Sequence, residues 1–464
     1  MLPLKQYTGL YTDFYELTMA QGYFLNGMKD TPVVFDYFFR KCPYEGSFVV
    51  LSGLQELLET LTAFSFSGEE IQYLSGYGFN DRFLDWLNNF RFTADVFSVM
   101  EGELVFPYEP CIRIEGTIIE CQLVETLVLN LVNFESLIAT KAARIKLVAG
   151  DRQLMDFGFR RAQGLGGLQA SRAAVAGGFN RTSNVLSAFQ NGLEPSGTMA
   201  HSWVQAFEDE YTAFRVYADL YPQSCVFLVD TYDTLKSGLP NAIKVALEMK
   251  SRGVKLLGIR LDSGDLSYLS KKARGMLDDA GLQFVQIIVS NQLDEYVVKS
   301  LMEQSAPIDG FGIGTAIASG KDSGALDGVY KLSMINNSPT FKRSENPTKT
   351  TFPGKKVLYR YADQNGLFQA DAIALESEEV IERILHPFEA GKQLLTGNFK
   401  QEKLLHKVME HGKILIEKRA AGETAEYLQS RIIHLPDEHT RLLNPHIYKV
   451  GISPGLYKLI TEMN

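Results

Sequence analysis

The chain has 464 residues, 45% of them apolar and 22% charged, which is long enough for two or three domains with a sizeable core. A formal net charge of -9 excludes a broad nucleic-acid surface, which needs a basic face, but leaves room for a local basic pocket. Cys42, Cys111, Cys121 and Cys225 are scattered without a CxxC pair, so neither a disulfide framework nor a zinc knuckle is indicated.

The opening Met1–Tyr7 lacks a basic region followed by an apolar run, and no stretch reaches the length of a membrane-spanning helix. A cytoplasmic protein without a membrane partner is expected. In the first 150 residues, helical spacing covers Asp13–Leu25, and Pro32–Phe39 reads as a strand. Further helices are expected around Leu54–Phe64 and Gly68–Leu74. Phe97–Ile119, broken by Glu-Gly and Pro-Tyr-Glu-Pro turns, reads as a small β unit. Glu120–Val148 then runs with apolar residues at helical spacing.

A strand–helix rhythm follows. Strands are predicted at Leu154–Phe159, near Gly178–Arg181, and at Gly197–Ala200, Cys225–Val229, Leu256–Leu261, Phe284–Val289 and Gly310–Ile313. Helices are predicted at Trp203–Tyr217, Asn241–Arg252, Leu266–Ala280 and Leu293–Gln304. About seven such turns favour a closed or nearly closed (β/α) barrel over an open sheet. After Gly328 the rhythm stops. Strands are expected at Val329–Ile335 and Lys356–Tyr361 around a polar Asn336–Gly354 loop, and helices at Lys403–Glu410 and Glu423–Arg431. The domains expected are therefore 1–150, mixed α+β and ending in a long helix; 151–335, the barrel with the active site; and 336–464, completing the first domain or standing apart.

In such barrels the loops after the strands build the active site. Here they carry Asp156-Phe-Gly-Phe-Arg-Arg-Ala-Gln-Gly164, Gly178–Asn184, Pro195–Ser202, Asp230–Thr234, Arg260–Asp265, Ser290-Asn291 and Gly310–Thr315. Arg160, Arg161, Arg181 and Arg260 suit phosphate or carboxylate. Asp230, Asp262 and Asp265 can orient a histidine, hold Mg²⁺ or steady positive charge. Gly312 and Gly314 let backbone approach a phosphate, with Thr315 beside them. His201, where a short strand meets a helix, can move a proton or attack phosphorus. Gly314–Lys321 fails as a P-loop, having five residues between its glycines and Asp322 in place of Ser/Thr. HExxH is absent, and the late Gly310-x-Gly312-x-Gly314 does not fit a dinucleotide fingerprint.

These segments, together with Tyr11–Met19 and Pro353–Lys356, resemble those of nicotinate phosphoribosyltransferases from residue 11 to about 330. Glu16 in place of the usual Gln and Trp203 in place of Phe are slight departures, and the last hundred residues resemble the family least. The resemblance implies an irregular α/β barrel packed on a smaller mixed domain, typically as a homodimer with shared active sites. The implied reaction joins nicotinate to phosphoribosyl pyrophosphate, giving nicotinate mononucleotide and pyrophosphate with ATP hydrolysis. Mg²⁺ would sit on the pyrophosphate, with no ligand set assigned. His201 would become a phosphohistidine, oriented by Asp230 or Asp262. Phe157 and Tyr15, the latter from a neighbouring subunit, would stack the pyridine ring. Arg260 with Thr198 would pair with the nicotinate carboxylate or else with a phosphate, and Arg160, Ser263 and Gly264 complete the substrate-binding set. The related nicotinamide enzyme, a phosphosugar lyase and a non-catalytic sensor are the rival readings. The Thr198-Met-Ala-His201 run and the Arg160-Arg161 pair favour the nicotinate enzyme.

Overall fold

A computed structural model describes residues 8–342, 349, 351–389 and 391–463. The Met1–Tyr7 stretch and the middle of the Asn336–Gly354 loop lie outside the described residues. Two compact units emerge, one of residues 141–324 and one of residues 1–140 with 325–464. Both divisions fall earlier than the sequence boundaries at 150/151 and 335/336, for physical reasons. The first lies inside the helix Glu125–Ala149. The second precedes the strand Gly328–Ile335, which pairs with Pro32–Phe39 and so belongs to the mixed unit rather than the barrel.

The mixed unit is built on a seven-stranded sheet in which Pro32–Phe39 lies between Gly328–Ile335 and Ile112–Thr117, both antiparallel to it. Seven of that strand's eight residues are buried, as its aromatic and β-branched composition suggests. The C-terminal segment joins this unit: His406–Glu410 pairs with Asp95–Ser98, and Lys356–Ala362 and Phe368–Leu375 lead a second sheet. Lys403–Glu410, expected as a helix, is therefore strand, Lys400–Lys403 followed by His406–Glu410. Its buried Met409 pairs with Val96, and the buried Val408 sits at the register shift beside it, a distant pairing that local sequence does not register.

The second unit holds a parallel sheet of six strands. In spatial order these are Arg181–Thr182, Gln153–Asp156, Gly310–Ile313, Gln286–Ser290, Gly258–Leu261 and Val226–Leu228. Helices between them bury residues at three- and four-residue intervals, such as Leu239, Ala242, Val245, Ala246 and Met249 on Leu239–Ser251. The Leu, Val and Met side chains among them each contribute roughly 1.5–3 kcal/mol by leaving water. The expected strand at Gly197–Ala200 is not one. Its approach makes a single parallel bridge, Pro195 to Thr182, and Ser196 N donates to Thr182 O at 2.8 Å. Proline has no N–H to extend a ladder. The irregular α/β barrel expected from the sequence is thus a partial one of six strands, with Arg181–Thr182 and Val226–Leu228 at its edges.

Candidate active site

All six strands run in parallel, so their C-terminal ends fall on one side and the loops after them share it. Met155, Phe157, Val226 and Ile288 form a small apolar cluster among these strands. Phe157 N donates to Ile313 O at 2.8 Å, fixing the ring beside the Gly310–Ile313 strand. A Cβ on Gly312 would stand 2.4 Å from Phe157 Cε2, so glycine is required there for the ring to fit. Gly312 thus has a packing reason that its glycine pattern alone does not reveal. Gly314 precedes the short helix Thr315–Ala318, and a Cβ there would come 3.2 Å from Phe157 O. Thr315 is exposed at that helix start.

Asp156, buried beneath this aromatic residue, accepts from Gly158 N at 2.8 Å and from the Ser171 and Thr182 hydroxyls at 2.7 Å. Asn184 adds to the same network through Ser171 and Gly167 O. The Asp156 and Thr182–Asn184 motifs therefore shape the loops rather than face open space.

Arg260, at the end of its strand, donates from Nη1 to the Thr198 hydroxyl. Its guanidinium lies 6.0 Å from the Phe157 ring centroid. Its Nε is buried with no hydrogen-bond partner among the described residues, a donor left for a ligand. Burial lowers the Arg260 pKa, opposed by Asp262 and Asp230 and reinforced by the charge of Arg160. Arg160 and Arg161 are exposed, and Arg181 pairs with Glu194 at 2.9 Å.

His201 is the first residue of the helix His201–Gln205, entered from an extended Ala200. Its Nδ1 is 3.1 Å from Thr231 Oγ1, and its Nε2 is 3.9 Å from Asp262 Oδ2. Ser290 donates to Asp262 Oδ1 at 2.5 Å. Asp230, also buried, accepts on Oδ2 from Asp262 N at 2.9 Å and Ser263 Oγ at 2.6 Å. Its Oδ1 is buried without a partner among the described residues. Asp262 is thus the acid beside His201, and Asp230 fixes the loop that carries Asp262, Ser263 and Gly264. Asp265 caps the next helix through Tyr268 N at 2.9 Å. The helix expected at Trp203–Tyr217 is two, His201–Gln205 and Glu210–Leu220, because Asp209 caps a new start at Thr212 N.

Within this unit the structure gathers His201, Asp230, Asp262, Ser263, Arg260, Thr198 and Phe157. Thr231 was given no role of its own, and Ser290 was named only as part of its strand-end loop, because a lone hydroxyl gives no sequence signal of its own. Tyr15 lies in the other unit on the helix Phe14–Leu25, 47% exposed, beside the also exposed Phe14 and Met19.

Three family models match the chain. The model described as the nicotinate phosphoribosyltransferase (NAPRTase) family covers residues 152–392, its N-terminal domain residues 10–133, and its C-terminal domain residues 355–460. The last match takes in the segment where sequence resemblance was least. A nicotinate phosphoribosyltransferase of Bacillus subtilis (strain 168) is 42% identical over 455 residues, covering 96% of this chain and 92% of that protein. One from Dictyostelium discoideum is 37% identical over 518 residues, covering 98% and 88%. The crystal structure of human nicotinic acid phosphoribosyltransferase has a TM-score of 0.86 at 31% identity, covering 97% of this chain and 99% of that one.

Proposed function

The chain belongs to the nicotinate phosphoribosyltransferase family, enzymes of NAD biosynthesis that ATP assists, and from this we propose how its own residues carry the reaction. Nicotinate attacks C1 of phosphoribosyl pyrophosphate through its ring nitrogen, pyrophosphate leaves, and positive charge builds on the ribose. Catalysis is then mainly positioning and electrostatics. Phe157 supplies one aromatic face for the pyridine ring, and Tyr15 of a second copy in a homodimer supplies the other. The buried, unpartnered Nε of Arg260, with Thr198 holding Nη1 of the guanidinium, receives the nicotinate carboxylate. Gly314, Thr315 and the Gly312 backbone hold the 5′-phosphate, and Arg160, Ser263 and Gly264 the pyrophosphate.

Asp230 and Asp262 face the growing ribose charge. Asp230 Oδ1, buried and unpartnered, is the kind of acceptor that a Mg²⁺ arriving on pyrophosphate would use. Bound there, Mg²⁺ would neutralise the leaving group. No cluster of three or more His, Cys, Asp or Glu that could hold a metal occurs among the described residues. Four free cysteines support a reducing, cytoplasmic setting. No helix among the described residues is long and apolar enough to cross a membrane.

ATP assistance runs through a phosphohistidine at His201. The observation that carries this role is the pair of contacts on its ring, Thr231 at one nitrogen and Asp262 at the other. Incubation with γ-labelled ATP tests it. Wild-type protein takes up acid-labile label, whereas His201→Ala takes up none and loses ATP stimulation; label retained in His201→Ala would overturn the assignment.

A further inference from the structure

We propose that Thr231 is the positioning residue for His201: its hydroxyl accepts the Nδ1 proton and so reserves the Nε2 lone pair for the phosphoryl group. The proposal rests on the phosphohistidine reading and adds to it the group that sets the ring's tautomer.

The contacts at the two ring nitrogens are unequal. Thr231 Oγ1 is within hydrogen-bonding distance of Nδ1, at 3.1 Å. Asp262 Oδ2, 3.9 Å from Nε2, is too far for a hydrogen bond. Neither carboxylate that could have oriented the ring hydrogen-bonds to it: Asp262 Oδ2 stands 3.9 Å away, and Asp230 Oδ1 has no partner among the described residues. Asp262 turns Oδ1 to the Ser290 hydroxyl, and Asp230 turns Oδ2 to Asp262 N and Ser263 Oγ. The hydroxyl of Thr231 is left as the acceptor for an Nδ1 proton. The charged group facing this ring is Asp262, whose backbone N–H donates to Asp230.

With the proton on Nδ1, the chemistry balances. The Nε2 lone pair forms the N–P bond while the bond from Pγ to the bridging oxygen breaks, and ADP leaves with that electron pair. Nδ1 keeps its proton, still donated to Thr231. Water later takes the phosphoryl group, and the pair returns to Nε2. With the proton on Nε2 instead, the lone pair would point at the Thr231 hydroxyl. A carboxylate at position 231 would favour a doubly protonated ring, which has no lone pair. A neutral hydroxyl orients the imidazole without that bias, much as a neighbouring acceptor sets the tautomer of a metal-binding histidine.

Nitrogen NMR of isotope-labelled histidine reads the tautomer directly, with the His201 signal assigned by its loss in His201→Ala. Wild-type protein and Thr231→Ser are expected in the Nδ1–H form, and Thr231→Val, which keeps the volume and loses the hydroxyl, in a mixture. Phosphoenzyme formation from γ-labelled ATP should then fall about tenfold in kcat for Thr231→Val, with KM for ATP within about twofold, and recover in Thr231→Ser. An Nε2–H tautomer in wild type, or labelling of Thr231→Val at the wild-type rate, overturns the proposal. Should wild-type protein take no label, the phosphohistidine reading fails, and the wild-type tautomer alone then decides the Thr231 contact.

Discussion

Gly312→Ala puts the smallest possible side chain against the ring proposed to stack nicotinate. The added Cβ would meet Phe157 Cε2 at 2.4 Å and Cδ2 at 2.5 Å, well inside ordinary van der Waals separation. Relief requires the ring to move by about 1 Å, because carbon atoms settle at roughly 3.5–4.0 Å. Phe157 packs with Met155, Val226 and Ile288, so it cannot swing away freely. Overpacking of this kind costs roughly 1–3 kcal/mol, enough to lower Tm by several degrees. A 1 Å displacement of a positioning group can cost up to about 100-fold. KM for nicotinate should therefore rise at least about tenfold, with a smaller change in KM for phosphoribosyl pyrophosphate. Gly310→Ala is the control: its Cβ would meet the flexible end of Met155 at 3.3 Å, which can yield. Steady-state kinetics with each substrate varied, alongside thermal unfolding, reads all of this. An unchanged nicotinate KM in a destabilised Gly312→Ala would refute the stacking role of Phe157. A rise confined to phosphoribosyl pyrophosphate would return Gly312 to the phosphate.

Glu16 is buried, and burial pushes its carboxyl up to about 7, helped by the nearby Glu125 and Asp13 and opposed by the Thr12 and Thr126 hydroxyls. With a folded pKa above the unfolded one, its contribution is full below about pH 4.3 and is lost as pH rises through about 7. Urea unfolding of Glu16→Gln should show less loss of stability between pH 5 and 8, by about 2 kcal/mol after allowing for solvent screening; parallel curves would show that the carboxyl does not titrate in that range. Arg260→Lys should slow nicotinate turnover by about 1.5–3 kcal/mol of lost charge-assisted binding while changing nicotinamide turnover little, whereas equal losses would assign Arg260 to a phosphate. Tyr15→Ala should raise KM for nicotinate far more than it lowers Tm, and mixing it with a barrel-site variant should restore activity if two copies share each site.

Apolar runs and periodicity located several elements closely. Pro32–Phe39 and Gly310–Ile313 have the same ends in sequence and structure, and Leu266–Asp279 differs by one residue. Expectations failed where partners distant in sequence decide. Lys403–Glu410, expected as a helix, pairs through its His406–Glu410 part with Asp95–Ser98, and Gly197–Ala200, expected as a strand, follows a proline at a sheet edge. The helix Gly166–Ala176 was overlooked because its Gly-rich start reads as loop. At the site, residues with distinctive chemistry were legible as His201, Asp262 and Arg260. The division of labour among them was not. That Asp230 braces the loop while Asp262 faces His201 depends on a backbone N–H and a serine hydroxyl. That Gly312 clears space for Phe157 depends on two strands lying side by side.

The most direct test of the whole account uses purified protein, labelled nicotinate, phosphoribosyl pyrophosphate and Mg²⁺, with and without ATP, and nicotinamide as the competing base. The account predicts labelled nicotinate mononucleotide in both cases, formed faster with ATP, and little product from nicotinamide. No mononucleotide under either condition, or faster use of nicotinamide, would contradict it.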